Sequence, residues 1–217
     1  MTVLYERFRP RTWGEVVGQD AALARLETLR SRGGLAGRSY WLSGPSGTGK
    51  STIAKLIADE IADPINIEEL DASSLLVPHV QEFERRSRCY GLGVKSGRAF
   101  IINEAHGLRR DAVRQLLVTL EAERIPSHVA WIFTTTTEGE AFMFEGMADS
   151  HPLLSRCHVM PMAKQGLVEA MAVRAREIAV AEGLDGRPPE EYLQLVYRNR
   201  SNMRSVLQAI EAGEMLD

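Results

Sequence analysis

Along roughly the first three quarters of the chain, short unbroken apolar runs alternate with stretches in which apolar residues recur every three or four places; beyond residue 162 only the second rhythm remains. A short apolar run bounded by turn formers predicts a buried strand, and recurrence at i, i+3, i+4 predicts a helix with one face inward. Residues 1–19 read as irregular, punctuated by Pro10, Gly14 and Gly18. Asp20 then caps a helix over 21–32, with Leu23, Leu26 and Leu29 along it and Gly33-Gly34 at its end. Strands are predicted at 39–43 (SYWLS), 65–70 (INIEEL), 99–103 (AFIIN), 129–137 (VAWIFTTTT) and 157–162 (CHVMPM). Between them lie a helix carrying Ile53, Leu56, Ile57 and Ile61, which stops before Pro64, and one from Asp111 to Glu123 with Leu116, Leu117 and Leu120 inward. Residues 71–98 are mixed, with a glycine-bearing stretch at 90–97.

Strands separated by helices predict an α/β fold, a parallel sheet flanked by helices. From Lys164 onward three helices are expected, at 164–182, at 189–198 after Pro188-Pro189, and at 202–213. The boundary falls near Met162, giving an α/β domain over 1–162 and a small all-helical domain over 163–217. The second is too small to be robust alone, so it is expected to pack on the first.

Composition adds limits rather than direction. Hydrophobic residues make up 44% and charged residues 25% of the 217, ordinary for a globular chain. No apolar run reaches the ~18 residues of a membrane span. The start, MTVLYERFRP, carries charges where a signal peptide needs an apolar run, so a cytoplasmic protein is expected. Cys89 and Cys157 stand alone without a CxxC, and His79, His106, His128, His151 and His158 have no metal-ligand spacing. A net charge of −3 argues against wholesale coating of nucleic acid but leaves a local basic stripe open.

The chemistry is concentrated in Gly44-Pro45-Ser46-Gly47-Thr48-Gly49-Lys50-Ser51, followed by Thr52, which matches GxxxxGK[ST] between a strand and a helix. Glycines let backbone N–H groups wrap a phosphate, and the following helix points its positive end at the same anion. In an ATP site Lys50 reaches the β- and γ-phosphates and the Ser51 hydroxyl ligates Mg²⁺. The strand AFIIN runs into Asn103-Glu104-Ala105-His106, the form of a Walker B element. Glu104 is the candidate that polarises the attacking water. Asn103 stands where an aspartate is expected; its amide can hold Mg²⁺ only weakly, through water, which predicts weak ATP hydrolysis.

In order along the chain, YERFRPRTWGEVVGQD (5–20), the phosphate loop, ELDASS (69–74), NEAH (103–106), the strand ending in threonines, LLSRC (153–157) and SNMRSVL (201–207) resemble AAA+ ATPases of the clamp-loader family, replication factor C small subunits and bacterial tau/gamma subunits. The resemblance implies a P-loop AAA+ domain followed by a helical lid. It implies that Tyr5, Arg9 and Val17 surround the adenine and sugar. Thr136, with Thr135 almost as good a match, takes the sensor 1 position near the γ-phosphate, and Arg204 the sensor 2 position. Arg156 matches the arginine finger, which serves the ATP of an adjacent subunit. The departures are Asn103, the absence of the tau/gamma zinc cluster, and a chain that stops where the family's collar domain would begin. The stretch 138–152 is longer than in the family, and its Phe142, Met143, Phe144 and Met147 read either as local core or as an exposed partner-binding tip.

The function this resemblance implies is that of an ATP-binding, ATP-hydrolysing subunit of a clamp-loader-like complex in DNA replication or repair. Implied partners are other AAA+ subunits in a homo- or hetero-oligomer, a sliding clamp, and primer–template DNA gripped by its backbone, with no membrane; in a bacterium or phage the protein would be nucleoid-associated. Arg109 and Arg110, with Arg85, Arg86 and Arg88, are either DNA contacts or a solvated basic face. The alternative, favoured by Asn103 and the missing collar, is a weakly hydrolysing nucleotide-binding regulatory or adaptor subunit of a replication or recombination complex.

Overall fold

Five strands pair side by side, all parallel, in a computed structural model that describes residues 3–121, 123–146, 149–162 and 166–216. In chain order the elements are α1 (Leu4–Arg7), α2 (Asp20–Ser31), β1 (Arg38–Ser43), α3 (Lys50–Ile61), β2 (Ile67–Asp71), α4 (Val77–Ser87), β3 (Arg98–Asn103), α5 (Arg110–Thr119), β4 (Val129–Thr135), α6 (Thr137–Gly146), α7 (Ser150–Ser155), β5 (His158–Pro161), α8 (Leu167–Glu182), α9 (Pro189–Arg198) and α10 (Met203–Glu211). The sheet order is β2-β3-β4-β1-β5.

The continuous apolar runs of β1, β3 and β4 are those of strands covered on both faces. Side chains alternate across a strand. Trp41, Phe100, Ile102, Trp131 and Phe133 therefore share one face, packed with Val80 and Phe83 of α4 and Val113 and Leu116 of α5. The other face meets α3, which lies on β3 and β4 and buries Ile53, Ala54 and Ile57.

Several boundaries moved for local reasons. Pro64–Asn66 forms a 3₁₀ turn, so β2 starts at Ile67 and Ile65 is left exposed. Buried Asn66 uses its amide instead to hold the 90–97 loop, donating to the Leu92 carbonyl at 2.6 Å and accepting from its N–H at 3.1 Å. Helix α4 lies inside the stretch that read as mixed; its buried positions are Val80, Phe83 and Ser87, too sparse a pattern to declare a helix. Short α1 likewise occupies a stretch that read as irregular. Helix α5 ends at Thr119, earlier than expected. Strand β4 stops at Thr135, because the Thr136 hydroxyl accepts from Gly139 N at 3.1 Å and starts α6.

The chain divides into two compact units, one formed by Ala22–Gly44 with Lys50–Pro161, the other by Met1–Ala21, Pro45–Gly49 and Met162–Asp217. The first holds the sheet. In the second, α8 packs on α9 and α10, and α1 packs on α10. Its core joins Leu4 to Leu167, Met171, Ile178, Tyr192, Leu195, Val206 and Ile210. Residues 164 and 165, read as the start of a helix, lie outside the described residues.

Candidate functional site

The loop between β1 and α3 has the backbone its glycines permit. Gly47 and Gly49 sit at φ +80° and +91°, and a Cβ at Gly49 would meet nothing within 4 Å. The backbone is thus uncrowded at Gly49, the residue that precedes the 12-residue α3 in sequence. Lys50 is 8% exposed, and its Nζ donates to the Gly44 carbonyl at 2.8 Å. A glycine-rich turn, a helix N-terminus and a buried ammonium are groups whose chemistry suits a polyphosphate. Ser51 stands in the first turn of that helix.

Two side chains outside the motif shape this loop. Buried Gln19 donates to the Thr48 carbonyl at 3.2 Å. Asn202 caps α10, its Oδ1 accepting from Arg204 N at 3.1 Å, and it abuts Gly47 so closely that a Cβ there would overlap its side chain. Gln19 lies inside the VVGQ segment and was legible as part of that motif. Asn202 lies inside SNMRSVL, another segment that carries the resemblance, and is not among the site residues named from the sequence.

Parallel pairing brings the C-terminal ends of the strands to one edge, where α/β sheets place ligands. Asn103 is fixed there from both sides, accepting from Thr134 Oγ1 at 2.9 Å and donating through Nδ2 to Glu69 Oε1 at 2.6 Å. The amide orientation follows from these partners. Its NH₂ end therefore faces a carboxylate on β2, a pairing that nothing in the sequence announced. Glu104 follows in a left-handed conformation, φ 52° and ψ 48°, which costs a non-glycine residue about 1–2 kcal/mol. Its side chain is 51% exposed, and Oε2 stands 3.5 Å from Nδ1 of His106. That nitrogen also lies 3.1 Å from Oγ1 of buried Thr135. On β2, hydrogen bonds from the Ser73 hydroxyl and N–H hold the Asp71 carboxyl below its usual range.

The remaining predicted residues are scattered over both units. The Thr136 hydroxyl accepts from Gly139 N and so caps α6. In the second unit the Arg204 guanidinium lies 5.3 Å over the Tyr5 ring, so these two do come together. Arg9 pairs with Glu6 at 3.5 Å. Val17 lines a cavity of about 530 Å³ with Gly14, Glu15, Glu169 and Val173. Pro45, Gly47, Thr48 and Gly49 fall in the same unit, whereas Gly44, Lys50, Ser51 and Thr52 belong to the sheet unit. The exposed tip residue Ser46 lies between Pro45 and Gly47 in sequence.

Arg156 follows α7, its Nη1 on the Pro152 carbonyl at 3.0 Å and its own carbonyl accepting from Ser39 Oγ at 2.5 Å. Beside it, burial pushes the Cys157 thiol up to about 12. Arg85 and Arg86 both bond Glu82, whose carboxyl they hold down to about 2, and Arg86 also bonds Glu68. That face is largely neutralised. Arg110 bonds the Gly146 carbonyl. In the stretch 138–152 Met143 is buried, in one core with Leu153, whereas Phe142 is 72% exposed; the Phe144 side chain and Met147 lie outside the described residues.

Among the described residues no helix is long and apolar enough to cross a membrane, and no group of three or more His, Cys, Asp or Glu could hold a metal. Residues 40–145 match the ATPase family associated with various cellular activities (AAA). The chain is similar to the replication factor C small subunit of Haloarcula marismortui, 28% identical across 98% of this chain and 62% of the relative. It is 31% identical to the DNA polymerase III subunit gamma/tau of Mycobacterium tuberculosis, across 61% of this chain and 27% of that one. The chain thus spans under two thirds of the length of either. Among solved structures, the Holliday junction branch migration motor RuvB of Thermotoga maritima superposes with a TM-score of 0.70 at 20% identity, covering 94% of this chain and 64% of that one.

Proposed function

The chain carries an AAA domain in the P-loop AAA+ fold and resembles clamp-loader subunits along most of its length, and on that premise we propose that it is an ATPase subunit of a clamp-loader-like assembly acting in DNA replication or repair. The observation that carries this is the single sheet edge at which Lys50 at the start of α3 and Glu104 at the end of β3 both stand. One supplies a fixed cation for the terminal phosphates, the other a carboxylate for water.

On this reading the loop N–H groups and Lys50 hold the β- and γ-phosphates, releasing Nζ from the Gly44 carbonyl. Magnesium bound with ATP neutralises phosphate charge; Ser51 is its ligand, with Asn103 at most orienting a water. Glu104 accepts a proton from the attacking water and orients it. Tyr5, Arg9 and Val17 take the adenine and sugar, Thr136 or Thr135 senses the γ-phosphate, and Arg204 reaches the phosphates. Arg156 serves the ATP of a neighbouring AAA+ subunit, because a guanidinium stabilises charge on the transferring phosphoryl group. A sliding clamp and primer–template DNA, held by its backbone through residues such as Arg109 and Arg110, are the partners this reading implies.

Asn103 favours a second reading, a weakly hydrolysing regulatory or adaptor subunit in which bound ATP organises partners. With its NH₂ end on Glu69, residue 103 supplies no charge for a metal. ATP turnover at several protein concentrations, with and without primed DNA, separates the two. Turnover that DNA and concentration raise supports the ATPase, and tight ATP binding without turnover supports the adaptor.

A further inference from the structure

The imidazole of His106 lies among three pieces of the structure: the turn that carries Glu104, the end of β4, and the first turn of α6. Its Nδ1 is 3.1 Å from Thr135 Oγ1 and 3.5 Å from Glu104 Oε2. On the third side, a Cβ at Gly139 would overlap the ring, so α6 seats against it only because residue 139 has no side chain. One ring nitrogen cannot serve both oxygens at once. Carrying a proton, Nδ1 can donate to the Glu104 carboxylate; without one, it accepts from the Thr135 hydroxyl and leaves Glu104 unheld. Thr135 has a second acceptor, the Thr136 carbonyl at 3.3 Å, so it can release the imidazole without losing a hydrogen bond. Glu104 has the opposite need. It is half exposed, on a left-handed backbone, and one residue past the last paired position of β3.

We propose that His106 is the positioning residue for Glu104, its Nδ1 shared between that carboxylate and Thr135, with the ring held in place by the close seat of α6 at Gly139. The kinetic consequence rests on the ATPase reading above; the shared nitrogen does not. A carboxylate that is free to swing presents the wrong lone pair to its water, and misplacement on that scale costs roughly 10²-fold in rate.

The test uses the whole chain. In nucleotide-free protein labelled with ¹⁵N-histidine, the His106 Nδ1 resonance should shift in both Thr135→Val and Glu104→Gln. In turnover assays, His106→Phe should lower kcat by about 10- to 100-fold with ATP affinity changed less than about twofold. His106→Asn, whose amide nitrogen can stand where Nδ1 stood, should recover most of that loss. Gly139→Ala, which displaces the ring without deleting it, should resemble His106→Phe. Parent-like turnover in His106→Phe, or an Asn variant as impaired as the Phe one, overturns the proposal. If the parent itself turns over no ATP, the hydrolysis reading fails separately and the resonance decides: a response to both variants upholds the shared nitrogen, and silence to either overturns it.

Discussion

Lys50 rests its ammonium on the Gly44 carbonyl, the contact that a bound phosphate would have to replace. Lys50→Ala should weaken binding of a fluorescent ATP analogue by at least about 10- to 100-fold, the cost of one charged hydrogen-bonding group. Unchanged affinity would sink the phosphate-loop assignment. Asn103 makes a sharper case. Restoring an acid there by Asn103→Asp places a second carboxylate where Glu69 now accepts a hydrogen bond at 2.6 Å. The single variant should lose on the order of 1–3 kcal/mol of stability without gaining turnover. Adding Glu69→Gln should restore the melting temperature and lift turnover above the parent. A single variant that is both stable and faster would show that Glu69 does not constrain this position. The two cysteines differ in the same residue-level way. Exposed Cys89 should react with iodoacetamide at pH 8 well before half-buried Cys157, whose thiol burial pushes up to about 12. Mass spectrometry of the native protein over time should therefore find the first adduct on Cys89.

At the scale of elements, the informative place is the end of β4. Periodicity predicts a strand over all four threonines of TTTT, since β-branched residues favour strands. What stops it is a competing use of one hydroxyl: Thr136 caps α6, and its carbonyl accepts from Glu140 N at 2.8 Å. Thr136→Val should cost about 1 kcal/mol of stability, the value of an N-cap, readable as a drop in the denaturation midpoint. Thr135→Val leaves the cap intact and removes the hydroxyl beside His106, so its effect should fall on turnover. A Thr136→Val variant that is stable but inactive would instead assign the phosphate-sensing role to Thr136. Helix α4 teaches a related lesson. It is secured by Val80 and Phe83 against Phe100 and Trp131, partners that lie in later strands and cannot be read from its own eleven residues.

For the whole molecule, the question is whether one chain suffices. If Arg156 serves a neighbour's ATP, specific activity should rise with protein concentration, because dilution separates finger from phosphate. Arg156→Ala should remove that rise and leave ATP binding nearly intact. Mixing Arg156→Ala with Lys50→Ala subunits should recover part of the activity, each supplying what the other lacks. Activity per chain that is independent of concentration, and untouched by Arg156→Ala, would retire the trans-acting role.

The sequence by itself determined whatever depends on neighbours within a few positions: the phosphate-loop motif between a strand and a helix, the apolar runs of β1, β3 and β4, and the helical rhythm of the last quarter. Such features are written in periodicity and in glycine placement, which act over one or two turns of chain. Tertiary structure alone decided the strand order, the bond from Asn103 to Glu69 thirty-four residues earlier, the imidazole of His106 beside Thr135, the Gln19 amide on the phosphate loop, and the grouping of residues 1–21 and 45–49 with the C-terminal helices. The first three arise from strand register and from packing on the two buried faces of the sheet, the last two within the helical unit with its own core, and none is set by a single segment.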